Sequence, residues 1–361
     1  VLPLTRQKKG GGVVGLDIEA GSIAAAELGG NGGARVAATA IQPLVPGAFE
    51  EGEVADGDAL AEALTSLFSA HKLSKRVRLG IGNQRVVVRT LRLPAIEDRK
   101  QMDTAVRFQA QEQIPMPLDQ AVLEHQIVGG VPPEEGAMPQ VDVVVVAARR
   151  DMVASFLEPL KRAGLDPVGI DLSAFGMIRA LSGAGEPAQA GEASAPAAEA
   201  VLYCNVGDMM NLAVARGRAC LFTRVSNAGL TGIAARLASE RALSAEHAAQ
   251  WLSHVGLESP VGEIDGDPET VAGARRALEE GVTGLADELR LSLDYYRAQE
   301  GAVPVGRVVL CGPGSAIPGL AARMEEGVGL PVAAARPAAL AGHDETAAAR
   351  LTLPYGLALE G

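Results

Sequence analysis

Aromatic residues are scarce in this chain, making up 3% of its 361 positions with a single Trp. A core with so few rings has to be packed from Ala, Val, Leu and Ile, which favours layered α/β architecture. Basic charge is also short: 32 Lys and Arg face 44 Asp and Glu, the formal net charge is −12, and no basic stripe interrupts the balance. Nucleic-acid binding draws most of its affinity from phosphate neutralisation, so that class is excluded. No run approaches the ~18 apolar residues of a spanning helix. The basic opening Arg6-Gln7-Lys8-Lys9 leads into glycines rather than an apolar signal core. The chain is therefore expected to be soluble and cytoplasmic. The three cysteines, Cys204, Cys220 and Cys311, are odd in number and sit in apolar runs, which reads as buried reduced thiols. The histidines His71, His125, His247, His254 and His343 share no metal-ligand spacing, which argues against structural zinc. Lysine stops at Lys161, so the second half of the chain must meet any anionic ligand with Arg or helix N-termini.

What the chain does contain is one kind of segment twice. Residues 13–28 (VVGLDIEAGSIAAAEL) and 201–217 (VLYCNVGDMMNLAVARG) each read strand, tight acidic or amide turn, strand. Two such turns facing each other across a cleft hold the phosphates and Mg²⁺ of a nucleotide in duplicated α/β ATPases. Here both are altered. The first keeps Asp17 but has Glu19 where a glycine would let the backbone approach the ligand; the second keeps Gly207 but has Asn205 where Asp is expected. Asp17, followed by Ser22, is the candidate metal ligand, a carboxylate able to hold a metal-bound water. Asp208 stands beside Gly207 as a displaced acidic group, while an Asn at 205 neither accepts a proton nor binds Mg²⁺ as a carboxylate does. The alternative reading of each turn is a structural hairpin turn, which the second turn favours over a nucleotide contact. Gly312, Pro313 and Gly314, between the apolar run RVVLCG and a helix, form a backbone surface suited to a purine or ribose. No nucleophile–base pair or catalytic carboxylate pair follows from spacing, so no catalytic residue is assigned.

Between these landmarks, DALAEALTSLFSA (58–70) predicts an amphipathic helix, and VRLGIG (77–82) and RVVVRTLRLP (85–94) predict strands on either side of a Gly-Asn turn. A helix over Glu97–Ile114 must stop at Pro115 and Pro117. VDVVVVAA (141–148) reads as a strand buried on both faces, and helices follow at Met152–Ala163 and Ser173–Leu181. Residues 183–200 are low-complexity Gly, Ala, Pro and Glu, a flexible connector. Helices then cover roughly 229–255 and 268–299, with Leu289, Leu293 and Tyr296 predicted to pack inward.

Taken together, GLDI…SI…EL (15–28), LRLP…E (91–97), IPMP (114–117), LFTR (221–224), ELRLSLDYY (288–296), VVLCGPGSAIPGL (308–320) and PYGLAL (354–359) resemble the PilM family. These are cytoplasmic actin-like proteins of type IV pilus assembly, related to the cell-division protein FtsA. The resemblance spans nearly the whole chain. It implies the actin-like, ribonuclease H-like fold, a duplicated α/β ATPase with an inserted small subdomain in the first half. The expected division is 11–42 plus 142–182 for the first half, 43–141 for the insertion, 183–200 for the linker and 201–361 for the second half, with a helical subdomain at about 229–300. It also implies ATP and Mg²⁺ in the central cleft, and capture of the cytoplasmic N-terminal peptide of a PilN-like inner-membrane protein in a groove beside the small subdomain. Carried over by position, Asp17 and Ser22 fall in the first phosphate motif, Asn205 and Gly207 in the second, Gly312, Pro313 and Gly314 in the adenosine motif, and Glu246 on the nucleotide-side helix.

The departures from that pattern are Glu19 for Gly, Ala24 for Lys, Asn205 for Asp, Met209 and Met210 for small hydroxyl residues, Gln250 for Lys and Pro313 for Gly. At ~4 Å and an effective dielectric of ~20, Glu19 would repel a phosphate charge by about 4 kcal/mol. The expectation is an adaptor at the inner face of the membrane, reached through its partner, with a degenerate nucleotide site. The alternatives are a working actin-like ATPase using Asp17, Asp208 and Glu19, and a small-molecule kinase of the same superfold. A type II secretion relative carries a spanning helix after its actin-like region; the end at LALEG favours the separate PilM-like subunit.

Overall fold

The computed structural model describes residues 12–29, 34–131, 138–182, 199–299 and 301–359. The basic opening at 6–9, most of the turn-rich loop before 140 and residues 183–198 of the expected connector lie outside them.

The first half begins with an antiparallel meander, β1 (Val14–Glu19), β2 (Ser22–Leu28) and β3 (Val36–Pro43). A two-residue turn, Ala20-Gly21, joins β1 to β2 and leaves Glu19 opposite Ser22. A small hairpin, β4 (Phe49–Glu50) with β5 (Glu53–Val54), leads into α1 (Gly57–His71). Asp56 caps that helix, its side chain accepting from Asp58 N and Ala59 N, and the left-handed Lys72 ends it. β6 (Arg76–Ile81) then runs parallel to β1.

Next comes a separate unit of β7 (Val87–Pro94), α2 (Arg99–Gln113), β8 (Ala121–Val131) and β9 (Gln140–Arg149), with strand order β7-β9-β8. Alternate residues of β9, Val143, Val145 and Ala147, share a buried cluster with Met102, Val106 and Ala110 of α2. Spacing of 3.6 on one element and 2 on the other thus meet in a small core of their own. α3 (Arg150–Arg162), β10 (Asp166–Leu172) and α4 (Ser173–Leu181) complete the half, giving a sheet ordered β10-β6-β1-β2-β3. The strands expected on either side of the Gly-Asn turn are present but belong to different sheets. β6 lies between β1 and β10 in the five-stranded sheet, while the separate three-stranded sheet draws its strands from 87–149.

The second half repeats the plan. β11 (Ala200–Val206), β12 (Met210–Arg216) and β13 (Ala219–Ser226) form a meander. They are followed by α5 (Leu230–Arg241), α6 (Ala245–Val255) and the long α7 (Pro268–Arg297). β14 (Val305–Cys311) runs parallel to β11, and after α8 (Leu320–Val328) β15 (Val332–Ala334) runs parallel to β14. The sheet order β13-β12-β11-β14-β15 matches the first half, with β11 in the place of β1. Leu289, Leu293 and Tyr296 pack inward from α7, as their spacing predicts.

The last helix, α9 (Glu345–Ala358), returns to the first half and packs on β1, β2 and α4. The halves share a core: Tyr203, Ala213, Val309 and Cys311 of the second sheet join the buried cluster of Leu16, Met177 and Leu353. The two hairpin turns are thereby brought face to face.

Candidate functional site

β1 points Asp17 into the interior, where it is 4% exposed, and α9 brings Arg350 to meet it. Arg350 lies in the run Ala348–Ala358, every residue of which is buried. A charge there must be paired and hydrogen-bonded to persist. Its Nη1 donates to Asp17 Oδ2 at 2.6 Å and its Nε to Ser22 Oγ at 2.9 Å. Its Nη2 donates to the backbone carbonyls of Ser22 at 3.0 Å and Asp17 at 3.2 Å. Glu19 Oε2 stands 3.3 Å from Nε. The guanidinium therefore meets both ends of the first turn, using the planar fork that a lysine lacks.

The second turn closes on the first directly. Asp208 accepts the Ala20 N–H and, at 2.9 Å, the Thr231 hydroxyl. Asn205 hydrogen-bonds the Glu19 side chain. The Glu19 carboxylate lies against Gly207, where a Cβ would collide with its Oε1. Gly312, in the left-handed region at φ 77°, presses on Asn205 Oδ1, and Gly314 presses on Val206, so these glycines serve close packing within the second half. Asp17, Ser22, Asn205, Gly207, Asp208 and Gly312 thus come together, with Pro313 and Gly314 in the adjoining 3₁₀ turn. Glu246 stands exposed in the first turn of α6 and does not join them.

Sequence reasoning missed Arg350, 333 residues from Asp17. The available signal was one Arg in an otherwise apolar helical run, which demands a buried counter-ion.

Three carboxylates and one guanidinium share this enclosure. Burial pushes the Glu19 carboxyl up to about 8, opposed by Arg350 and reinforced by Asp208 and Asp17. Burial likewise raises Asp17, against the pull of Arg350. Arg350 itself is raised: burial acts to lower it, but Glu19 and Asp17 outweigh that. An acid whose folded value exceeds its unfolded one binds the extra proton in the folded state, so stability falls as pH rises. Between about 4.5 and about 8, Glu19 should lower the unfolding free energy by up to about 1.4 kcal/mol per pH unit. Urea unfolding across that window should show a shallower slope in Glu19→Gln, with Asp17, Asp208, Arg350 and Cys311 left in place. An unchanged slope would mean Glu19 keeps its charge throughout.

The donors present do not fit a magnesium triphosphate. Asp17 is already neutralised by Arg350, the Ala20 N–H is taken by Asp208, and the Glu19 carboxylate fills the approach to Gly207.

A family model described as the type IV pilus assembly protein PilM matches residues 15–353. The chain belongs to the PilM family. A solved PilM–PilN type IV pilus biogenesis complex contains a chain 26% identical to it, aligned over 97% of this chain and 99% of that one with a TM-score of 0.77. EutJ, the ethanolamine utilization protein of Carboxydothermus hydrogenoformans, is 14% identical over 100% of this chain and 92% of that one, with a TM-score of 0.55. MreB5 of Spiroplasma citri bound to ADP is 12% identical over 97% and 95%, with a TM-score of 0.55. These two show the fold alone, and that fold is the actin-like one of two α/β halves. Among the described residues of this PilM-family chain, no helix is long and apolar enough to cross a membrane.

Proposed function

We propose that this PilM-family chain is an adaptor of the type IV pilus machinery that captures the N-terminal peptide of a PilN-like inner-membrane protein and turns over no ATP. The observation that carries the reading is the near end-to-end similarity to the PilM–PilN complex. The crowded cleft supports the second part, since a cycling ATPase needs a metal carboxylate and backbone donors free for its ligand. The membrane would then be reached through the partner.

A site for the peptide is a cavity of about 330 Å³ where β7 meets the second half, lined by Val86–Arg89, Pro115, Asn211 and Thr223–Val225. β7 and β13 are edge strands of their sheets, so both present backbone groups able to accept an added strand. Among the described residues, Asn211 Oδ1 is buried there without a hydrogen-bond partner. An orphan acceptor costs about 1–3 kcal/mol, which a peptide N–H would relieve. Asn211→Leu is therefore expected to leave thermal stability equal or higher while weakening peptide binding about tenfold, the equivalent of ~1.4 kcal/mol. Fluorescence anisotropy with a labelled PilN N-terminal peptide checks this. Wild-type protein that fails to bind at high micromolar concentration would sink the adaptor reading, and unaltered affinity in Asn211→Leu would move the peptide elsewhere.

A further inference from the structure

Glu19 and Asn205, two of the residues that depart from the nucleotide pattern, are physically matched to each other and to Arg350. Glu19 brings a carboxylate into the gap between the turns, and it lies over Gly207, where any Cβ would block it. An Asp at 205 would set a second carboxylate against it; the Asn there hydrogen-bonds it instead. Asn205 also places its Oδ1 toward the Cys311 thiol, 3.8 Å away, and against Gly312. Arg350 supplies the positive charge, reaching Asp17, Ser22 and Glu19 from a helix that belongs to neither turn. Asp208 ties the second turn to the first through Ala20. Random loss of a ligand site would leave unpaired groups in the cleft, whereas these changes satisfy each other.

We propose that the cleft is an internal clasp in which Arg350 stands in for the ligand's cation and the Glu19 carboxyl oxygens for its acceptor oxygens, holding the two halves shut without nucleotide. The clasp deepens the nucleotide-free part of the proposed function and is independent of peptide capture. It makes the scaffold a single rigid body whose partner surface is permanently presented, rather than one that opens and closes with a bound nucleotide. Arg350 acts here as a positioning residue for both turns.

Calorimetry and thermal unfolding with and without Mg²⁺-ATP, on wild type, Arg350→Met and Glu19→Gln/Arg350→Met, test this. Wild type should show no heat of binding and no shift of its transition. Arg350→Met leaves buried carboxylates without their counter-ion, and its transition should fall on the order of 10 °C. With the unfolding run above about pH 8, where the Glu19 carboxyl ionises, the double variant removes that charge and should recover part of the loss, which a purely space-filling role for Arg350 would not allow. Wild-type binding of Mg²⁺-ATP at micromolar concentration would overturn the clasp, and so would a double variant no more stable than the single one. If Arg350→Met does not fold, folding of the double variant is the recovery, and failure of both counts against the charge balance. No peptide enters these measurements, so failure of the adaptor reading and failure of the clasp are told apart.

Discussion

Gly356→Val is expected to unfold much of the population or to shift the urea midpoint strongly downward. At this point α9 crosses α4 so closely that a Cβ on Gly356 would fall on the carbonyl oxygen of Gly176. From the other side, a Cβ on Gly176 would sit 3.0 Å from Leu357. The obstacle is backbone rather than a flexible side-chain end, so relief requires the helices to part. Parting them also draws α9 off β1, where a Cβ on Gly15 would collide with the Pro354 carbonyl. Overpacking of a core ordinarily costs ~1–3 kcal/mol, and a β-branched residue against a main-chain oxygen should reach or exceed the top of that range. Gly356→Ala should fall between wild type and Val. A urea midpoint for Gly356→Val within error of wild type would show that the two helices are not in this contact.

Asp17→Ala is expected to cost about 3–5 kcal/mol, because it leaves the Arg350 guanidinium buried with its shortest carboxylate partner gone. Arg350 and Asp17 are each 6% exposed at the side chain and meet at 2.6 Å, so solvent neither screens the pair nor replaces the lost oxygen. Ser22→Ala is the internal control. It removes a single neutral acceptor from the same guanidinium, which the Ser22 carbonyl still engages, and should cost no more than ~1.5 kcal/mol. A chemical-unfolding series that ranks Ser22→Ala above Asp17→Ala would show that the hydroxyl, not the ion pair, anchors α9 to the first turn. Asp17→Asn should lie between the two, since it keeps an acceptor but no charge.

Much of the fold was legible because its signals are local. The hairpin at β1 and β2 follows from two strand-like runs on either side of a tight acidic turn, α2 from the spacing of Met102, Val106 and Ala110 with prolines at 115 and 117, and the buried β9 from four successive valines. Partner choice was not local. VRLGIG and RVVVRTLRLP lie beside each other in sequence, yet β6 pairs with β1 and β10 while β7 pairs with β9. A strand's own residues state that it wants neighbours, not which ones, because the hydrogen-bonding groups are the same backbone atoms everywhere.

The site divides in the same way. Asp17, Asn205, Gly207 and Asp208 were identifiable as turn residues from sequence, and so was the anomaly of Glu19 and Asn205. What those two do could not be read from either segment, because each makes sense only against the other and against Arg350, which arrives on α9 from the far end of the chain. The sequence by itself determined the α/β class, the duplicated hairpins, the PilM-family pattern and the absence of a second-half lysine, all carried by residue type and short-range spacing. Only the tertiary structure decided that the altered turns compensate each other. Burial and charge balance are properties of the enclosure that distant segments form together.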